Sequence, residues 1–429
     1  MEQKLKTALA LVGLSVVVIV VMDVLGRVAS AVDDRHFGPP ADHLLADDDL
    51  RAGLPAYNGV AYNPRALLEE VRKSDRTVYE PYTIWKRRAY RGEYTTIDIV
   101  GSRRTVGNST SEDALQVWMF GGSAVWGVGA PDSETIPSHL AALLNRELGI
   151  DANVRNLGRR GYVSTQEVIY LIRELQAGRR PDVVVFYNGV NDAAAVSLWP
   201  EFPGAHVSFD TVRDRFESDG EGDDIRWFAR STGLYKASRI VLDRVESDPF
   251  ERDGIIVYAD QDTGATPNYR WLAERGLDLW LFNARVIDTL ARDYGFTPLM
   301  AFQPGLWSSG KPLDPSEESL IGSEMEYAGL KTIMTVRAEM ATVLDDRLSD
   351  PQIPDWVLNL NDLFSDTPAP LYIDYVHVTG RGNEIAAQRI AADLLERLCD
   401  RPDAELSENT RRRLDARCRR WAGSSTQST

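Results

Sequence analysis

Four short stretches of this sequence carry side chains that can move protons or hold developing charge. The first, FGGSAVWG at 120–127, sets Ser123 behind two glycines. A serine hydroxyl attacks only when a neighbouring base takes its proton. Taken alone the stretch is a Gly-Gly-Ser turn, and it is not the G-x-S-x-G elbow. The stretch YIDYVHVTGRGN at 372–383 holds Asp374 and His377, three residues apart. That spacing lets the carboxylate reach one ring nitrogen while the other faces a nucleophile. The remaining histidines, His36, His43, His139 and His206, have no such neighbour. An Asp/His pair can also ligate a metal, but no second histidine or carboxylate cluster has ligand-like spacing, so no metal or cofactor is expected.

Two further stretches offer hydrogen-bond donors. In NLGRRGYVSTQE, 156–167, Gly161 can present a backbone N–H just ahead of a helix, where partial positive charge accumulates; equally, it can simply permit a loop conformation. In YNGVNDA, 187–193, Gly189, Asn191 and Asp192 read as a turn, and the Asn191 amide is a ready oxyanion donor.

The elements that must position these residues follow an α/β rhythm. Short apolar runs at 115–120, 154–156, 182–187, 297–304 and 356–360 read as strands. Helical spacing covers Pro137 to Leu148, about 271–293, about 323–348 and about 382–398. Ser164-Thr165-Gln166-Glu167 matches a capping box opening a helix through Leu175. Such alternation predicts a parallel sheet covered on both faces. Three of the four stretches follow separate predicted strands, at the sheet edge where α/β proteins keep their sites. The acidic, weakly periodic residues 193–270 read as an insertion or lid.

In that order and context the sequence resembles the SGNH/GDSL hydrolase superfamily. The resemblance rests on Ser123 in GGSAVWG, Gly161 in NLGRRGYVS, Asn191 in GVND, and Asp374 with His377 in DYVH, and it covers about 115–398. It implies a flavodoxin-like three-layer α/β/α core. It implies Ser123, His377 and Asp374 as catalytic residues, with an oxyanion hole from Ser123, Gly161 and Asn191. The substrate would be an acyl ester of a carbohydrate or lipid. A transferase moving an acyl group to a polysaccharide, and a non-catalytic binding module, are the alternatives. One departure stands out: Gly122 occupies the place of the family's usual Asp. The aromatic stretch around TIWKRRAY…GSRRT and the apolar N-terminal segment also resemble those of a membrane-anchored bacterial branch of this superfamily that faces the cell envelope.

Residues 7–22 form an uncharged apolar run preceded by Lys4 and Lys6. With Val24 and Leu25 it approaches the roughly 20 residues that span a bilayer. Residues 1–31 therefore read as a signal anchor, or as a signal peptide cleaved near Ala29-Ser30-Ala31, with the bulk of the chain outside the cytoplasmic membrane. Residues 32–60 read as a linker, 61–114 as an aromatic strand-and-loop preface, and 399–429 as a tail with a basic cluster. A net charge of −16 argues against a nucleic-acid partner. The only cysteines, Cys399 and Cys418, form a bridge in an oxidising compartment or remain two thiols otherwise. Trp307 and the 193–270 segment are candidates for shaping the substrate pocket.

Overall fold

The computed structural model describes residues 48–217, 268–324 and 328–400, together with 411–412, 414–415 and 418–419. The apolar run at 7–22 lies outside the described residues. Among those described, no helix is long and apolar enough to cross a membrane.

The first elements are helix α1 (Asp48–Ala52), a 3-10 turn over Pro55–Tyr57 and helix α2 (Pro64–Ser74), which Asn63 caps by accepting the Ala66 N–H. Two short hairpins follow. Strand β1 (Thr77–Glu80) pairs antiparallel with β2 (Ile84–Arg87), and β3 (Tyr90–Arg91) with β4 (Thr96–Ile97). Then comes the alternating core: β5 (Leu115–Gly121), α3 (Ser123–Trp126), α4 (Ile136–Ala142, widening into a π turn to Glu147), β6 (Ala152–Asn156), α5 (Ser164–Gln176), β7 (Val183–Asn188) and α6 (Val190–Leu198). A helix over Phe209–Glu217 (α7) is grouped in a separate compact unit. The core resumes with α8 (Tyr269–Tyr294), β8 (Thr297–Phe302), α9 (Pro315–Glu324), α10 (Ala328–Arg347), β9 (Val357–Asn359) and α11 (Gly380–Asp400).

The five core strands are all parallel, in the spatial order β6-β5-β7-β8-β9. Strand β5 is therefore the point where the winding reverses: the chain leaves it for β6 on one side and returns to β7 on the other. That order is the flavodoxin-like one, and ligand sites form at such a reversal, beyond the carboxyl ends of the strands.

The strands read as continuous apolar runs because both faces are covered. Side chains alternate: Trp118, Phe120, Val184, Phe186 and Met300 pack against α5, α6, α8 and α10. Val117, Met119, Val183, Val185 and Leu299 pack against α4 and α11.

Three expectations need correction. The insertion does not begin at residue 193, because α6 runs through it with Ala193 and Val196 in the core. Small apolar side chains let α6 lie close to the sheet while giving little amphipathic signal. The predicted linker is helical from Asp48, and Ala56 and Tyr57 are buried with Leu67 and Ile373. The capping box also works differently. Val163, not Ser164, is the N-cap: Gln166 accepts from the Val163 N–H, and the Ser164 hydroxyl donates to Asp192 instead.

Cys399, in the last turn of α11, is joined to Cys418 in a disulfide, and Leu414 packs into the core.

Candidate active site

The backbone turns sharply at Gly121–Gly122, so Ser123 starts α3 at the carboxyl end of β5. Its Oγ lies 2.7 Å from His377 Nε2. His377 Nδ1 lies 2.7 Å from Asp374 Oδ2. With Nδ1–H donating to the carboxylate, the lone pair of Nε2 faces the serine. The loop is preset by its own backbone: Asp374 Oδ1 accepts the N–H groups of Val376 and His377 at 2.9 and 2.7 Å. This side-chain-to-backbone turn is why a spacing of three places the carboxylate against the ring. Asp374 is only 2% exposed. Burial alone would push its carboxyl up, but the His377 ring and the Arg51 guanidinium outweigh that and hold it well below the usual carboxylate range.

The predicted donor residues come together beside the serine. A Cβ built on Gly122 would lie 2.6 Å from Asn191 Nδ2, so the amide packs directly against the backbone that precedes Ser123. The same nitrogen donates to the Tyr162 carbonyl at 2.8 Å. Tyr162 closes a turn on the Arg159 carbonyl, and Gly161 takes φ +77° within it. A left-handed residue at that turn position favours glycine. The loop is laid on the end of β5 by the Leu157 and Arg159 N–H groups, which donate to Met119 and Gly121.

Beneath this edge lies a buried polar network without a sequence signature of its own. Asp192 accepts from both the N–H and the hydroxyl of Ser164, tying α6 to the start of α5. Glu167 accepts from the Asn188 side-chain amide, whose Oδ1 accepts the Trp280 indole N–H at 2.7 Å. Burial pushes the Asp192 carboxyl up to about 6, and Glu167 well above its ordinary value. The triad loop has a second brace. Glu317, fully buried with Lys311, accepts the Leu371 and Tyr372 N–H groups at 2.9 and 3.2 Å. The Leu306 N–H donates to the Tyr375 carbonyl, and Trp307 packs beside Tyr372 and Phe364.

The other described histidines stand apart from the serine. His206 packs on Trp85, and His139 lies half-buried near Gly380. His36 and His43 lie outside the described residues. Among the described residues, no group of three His, Cys, Asp or Glu side chains is placed to hold a metal ion.

The residues singled out in the sequence, Ser123, Gly161, Asn191, Asp374 and His377, lie on these neighbouring loops. Arg51, Asp192 and Glu317, which brace those loops, were not singled out for that part. Asp192 adjoins Asn191 and was visible in principle; Arg51, in an Asp-rich stretch, gave no signal.

No family model matches the sequence, and no curated protein matches it. Solved structures similar to the chain include a protein from Agrobacterium tumefaciens provisionally described as an arylesterase, at 14% identity, covering 66% of this chain and 99% of that one, with a TM-score of 0.35. A lipase from a goat rumen metagenome matches at 14% identity, covering 65% and 97%, with a TM-score of 0.34. An acetylxylan esterase from Geobacillus stearothermophilus matches at 13% identity, covering 66% and 96%, with a TM-score of 0.30.

Proposed function

We propose that the protein is a serine-dependent ester hydrolase. The observation that carries this reading is the continuous relay from Ser123 Oγ to His377 Nε2 and from His377 Nδ1 to Asp374 Oδ2, each contact 2.7 Å. His377 takes the Ser123 proton as the hydroxyl attacks an ester carbonyl, and Asp374 holds the ring and offsets its charge. The oxyanion is received by the N–H groups of Ser123 and Gly161 and by the Asn191 amide. His377 then returns the proton to the leaving alcohol, and an acyl-Ser123 ester remains. Water, deprotonated by the same imidazole, releases the acid and restores the serine.

Ser123→Ala should abolish turnover of p-nitrophenyl acetate, and a fluorophosphonate should label Ser123 in the wild-type chain alone. Full activity in the alanine variant, or labelling at another serine, would sink the reading.

We further place the catalytic unit outside the cytoplasmic membrane, tethered by residues 1–31. The apolar run behind Lys4 and Lys6 supports this, as does the Cys399–Cys418 disulfide, a bond that persists where thiols are oxidised.

A further inference from the structure

Helix α1 lies outside the strand–helix core, yet one of its side chains reaches the catalytic loop. Arg51 Nη1 stands 3.5 Å from Asp374 Oδ2, with Arg51 8% exposed and Asp374 2%. Oδ2 is the same oxygen that receives His377 Nδ1 at 2.7 Å. The approach is fixed by packing. Ala56, Tyr57, Leu67 and Leu68 bury Ile373, the residue before Asp374, and the Tyr57 hydroxyl donates to the Gly129 carbonyl at 3.1 Å.

We propose that Arg51 is a positioning residue for the triad, sharing the Asp374 carboxylate with the His377 imidazole and keeping the resting imidazole neutral into more acidic solution. This rests on the hydrolase reading above for its consequence, and on the geometry alone for its cause.

A guanidinium stays protonated throughout the working pH range, so its field is present whatever the imidazole does. Two cations addressing one carboxylate oxygen repel each other, and the removable proton is the one on the imidazole. The acid held between them stays ionised, which agrees with its depressed carboxyl. Among the described residues, the titratable and charged groups around the pair include Ser123 on α3, Tyr372 and Tyr375 on the same loop, and Arg337 and Glu317 beside Tyr372. Burial holds the Tyr372 hydroxyl in its neutral form, so it places no competing charge beside the carboxylate. Arg51 therefore acts in opposition to a common role of triad neighbours. It makes the base available at lower pH and makes it a somewhat weaker base.

The test is the rate of Ser123 labelling by a fluorophosphonate, measured on the full chain in detergent from about pH 4 to about pH 9. Arg51→Met should move the acid limb of the profile upward by about one pH unit, while the plateau changes by less than about threefold. Arg51→Lys, which keeps a cation, should restore most of the shift. An acid limb that stays in place in Arg51→Met overturns the proposal, as does an equal shift in the lysine variant. A plateau that drops with the limb unmoved assigns Arg51 a purely structural role and overturns it as well. Absence of labelling at Ser123 in the wild-type chain is a different failure, that of the hydrolase reading. In that case NMR titration of the His377 ring in Ser123→Ala, with and without Arg51→Met, still reads the effect of Arg51, and superimposable curves overturn the proposal.

Discussion

An amide nitrogen carries two protons, and Asn191 commits one to the Tyr162 carbonyl at 2.8 Å. The other is the one that the proposed oxyanion hole would use. Asn191→Ala should lower kcat by about 100- to 1000-fold with a much smaller change in KM, because the lost bond forms mainly in the transition state. Steady-state kinetics on p-nitrophenyl acetate checks this, and a loss confined to KM would remove Asn191 from the oxyanion hole. Gly122 belongs to the same contact. An Asp there, the residue usual in the superfamily that the sequence resembles, would place its Cβ 2.6 Å from Asn191 Nδ2 and displace the amide. The glycine that looked like a departure in the sequence is thus matched to the asparagine. Ser123, Asn191, Asp374 and His377 could be grouped from the sequence because each sits in a local pattern behind a strand or within one turn, and the structure brings them together. Arg51 was illegible because its partner is distant in the chain and no local pattern marks it.

At the level of elements, α5 and α6 are fastened through Asp192, whose carboxyl is pushed up to about 6 by burial. A carboxyl raised in the folded state binds more protons there than in the unfolded chain between its ordinary value near 3.9 and about 6. Its contribution to stability therefore rises as pH falls through that window. Urea unfolding of wild type and Asp192→Asn should show the wild type gaining about 2 to 3 kcal/mol over the variant between pH 7 and pH 4. Parallel stability profiles for the two proteins would show that Asp192 does not titrate there. The strands were legible as elements, since continuous Val, Leu and Phe runs suit strands buried on both faces. Helix α6 was not: Val190–Leu198 carries alanines on nearly every side, and a sequence without contrast between faces gives no period to find. Helix α2 was missed for another reason, because Tyr, Trp and Arg around it drew attention to the hairpins that follow.

For the whole molecule, the Cys399–Cys418 bond closes the chain over a separation of 19 residues and carries Leu414 onto the core. Closing a loop of that size stabilises by about 3 kcal/mol in the chain-entropy account. A Cys399→Ser/Cys418→Ser double variant should lose that much in urea unfolding yet keep its kcat, since neither residue is near the serine. In envelope fractions both cysteines should resist maleimide until a reductant is added; free thiols before reduction would contradict the proposed location. The segments from α1 to β4 likewise belong to the unit that carries Ser123, holding the Gly161 loop through Trp85 and the Arg160 carbonyl and the Asp374–His377 loop through Ile373. That arrangement has a consequence for a chain still being made. The Ser123–His377 bond spans 254 residues, so at roughly 5 to 20 residues per second the ribosome delivers the base some 10 to 50 seconds after the nucleophile. Throughout that interval the proposed nucleophile has no base beside it, and the proposed hydrolysis could begin only once the loop carrying Asp374 and His377 has been made.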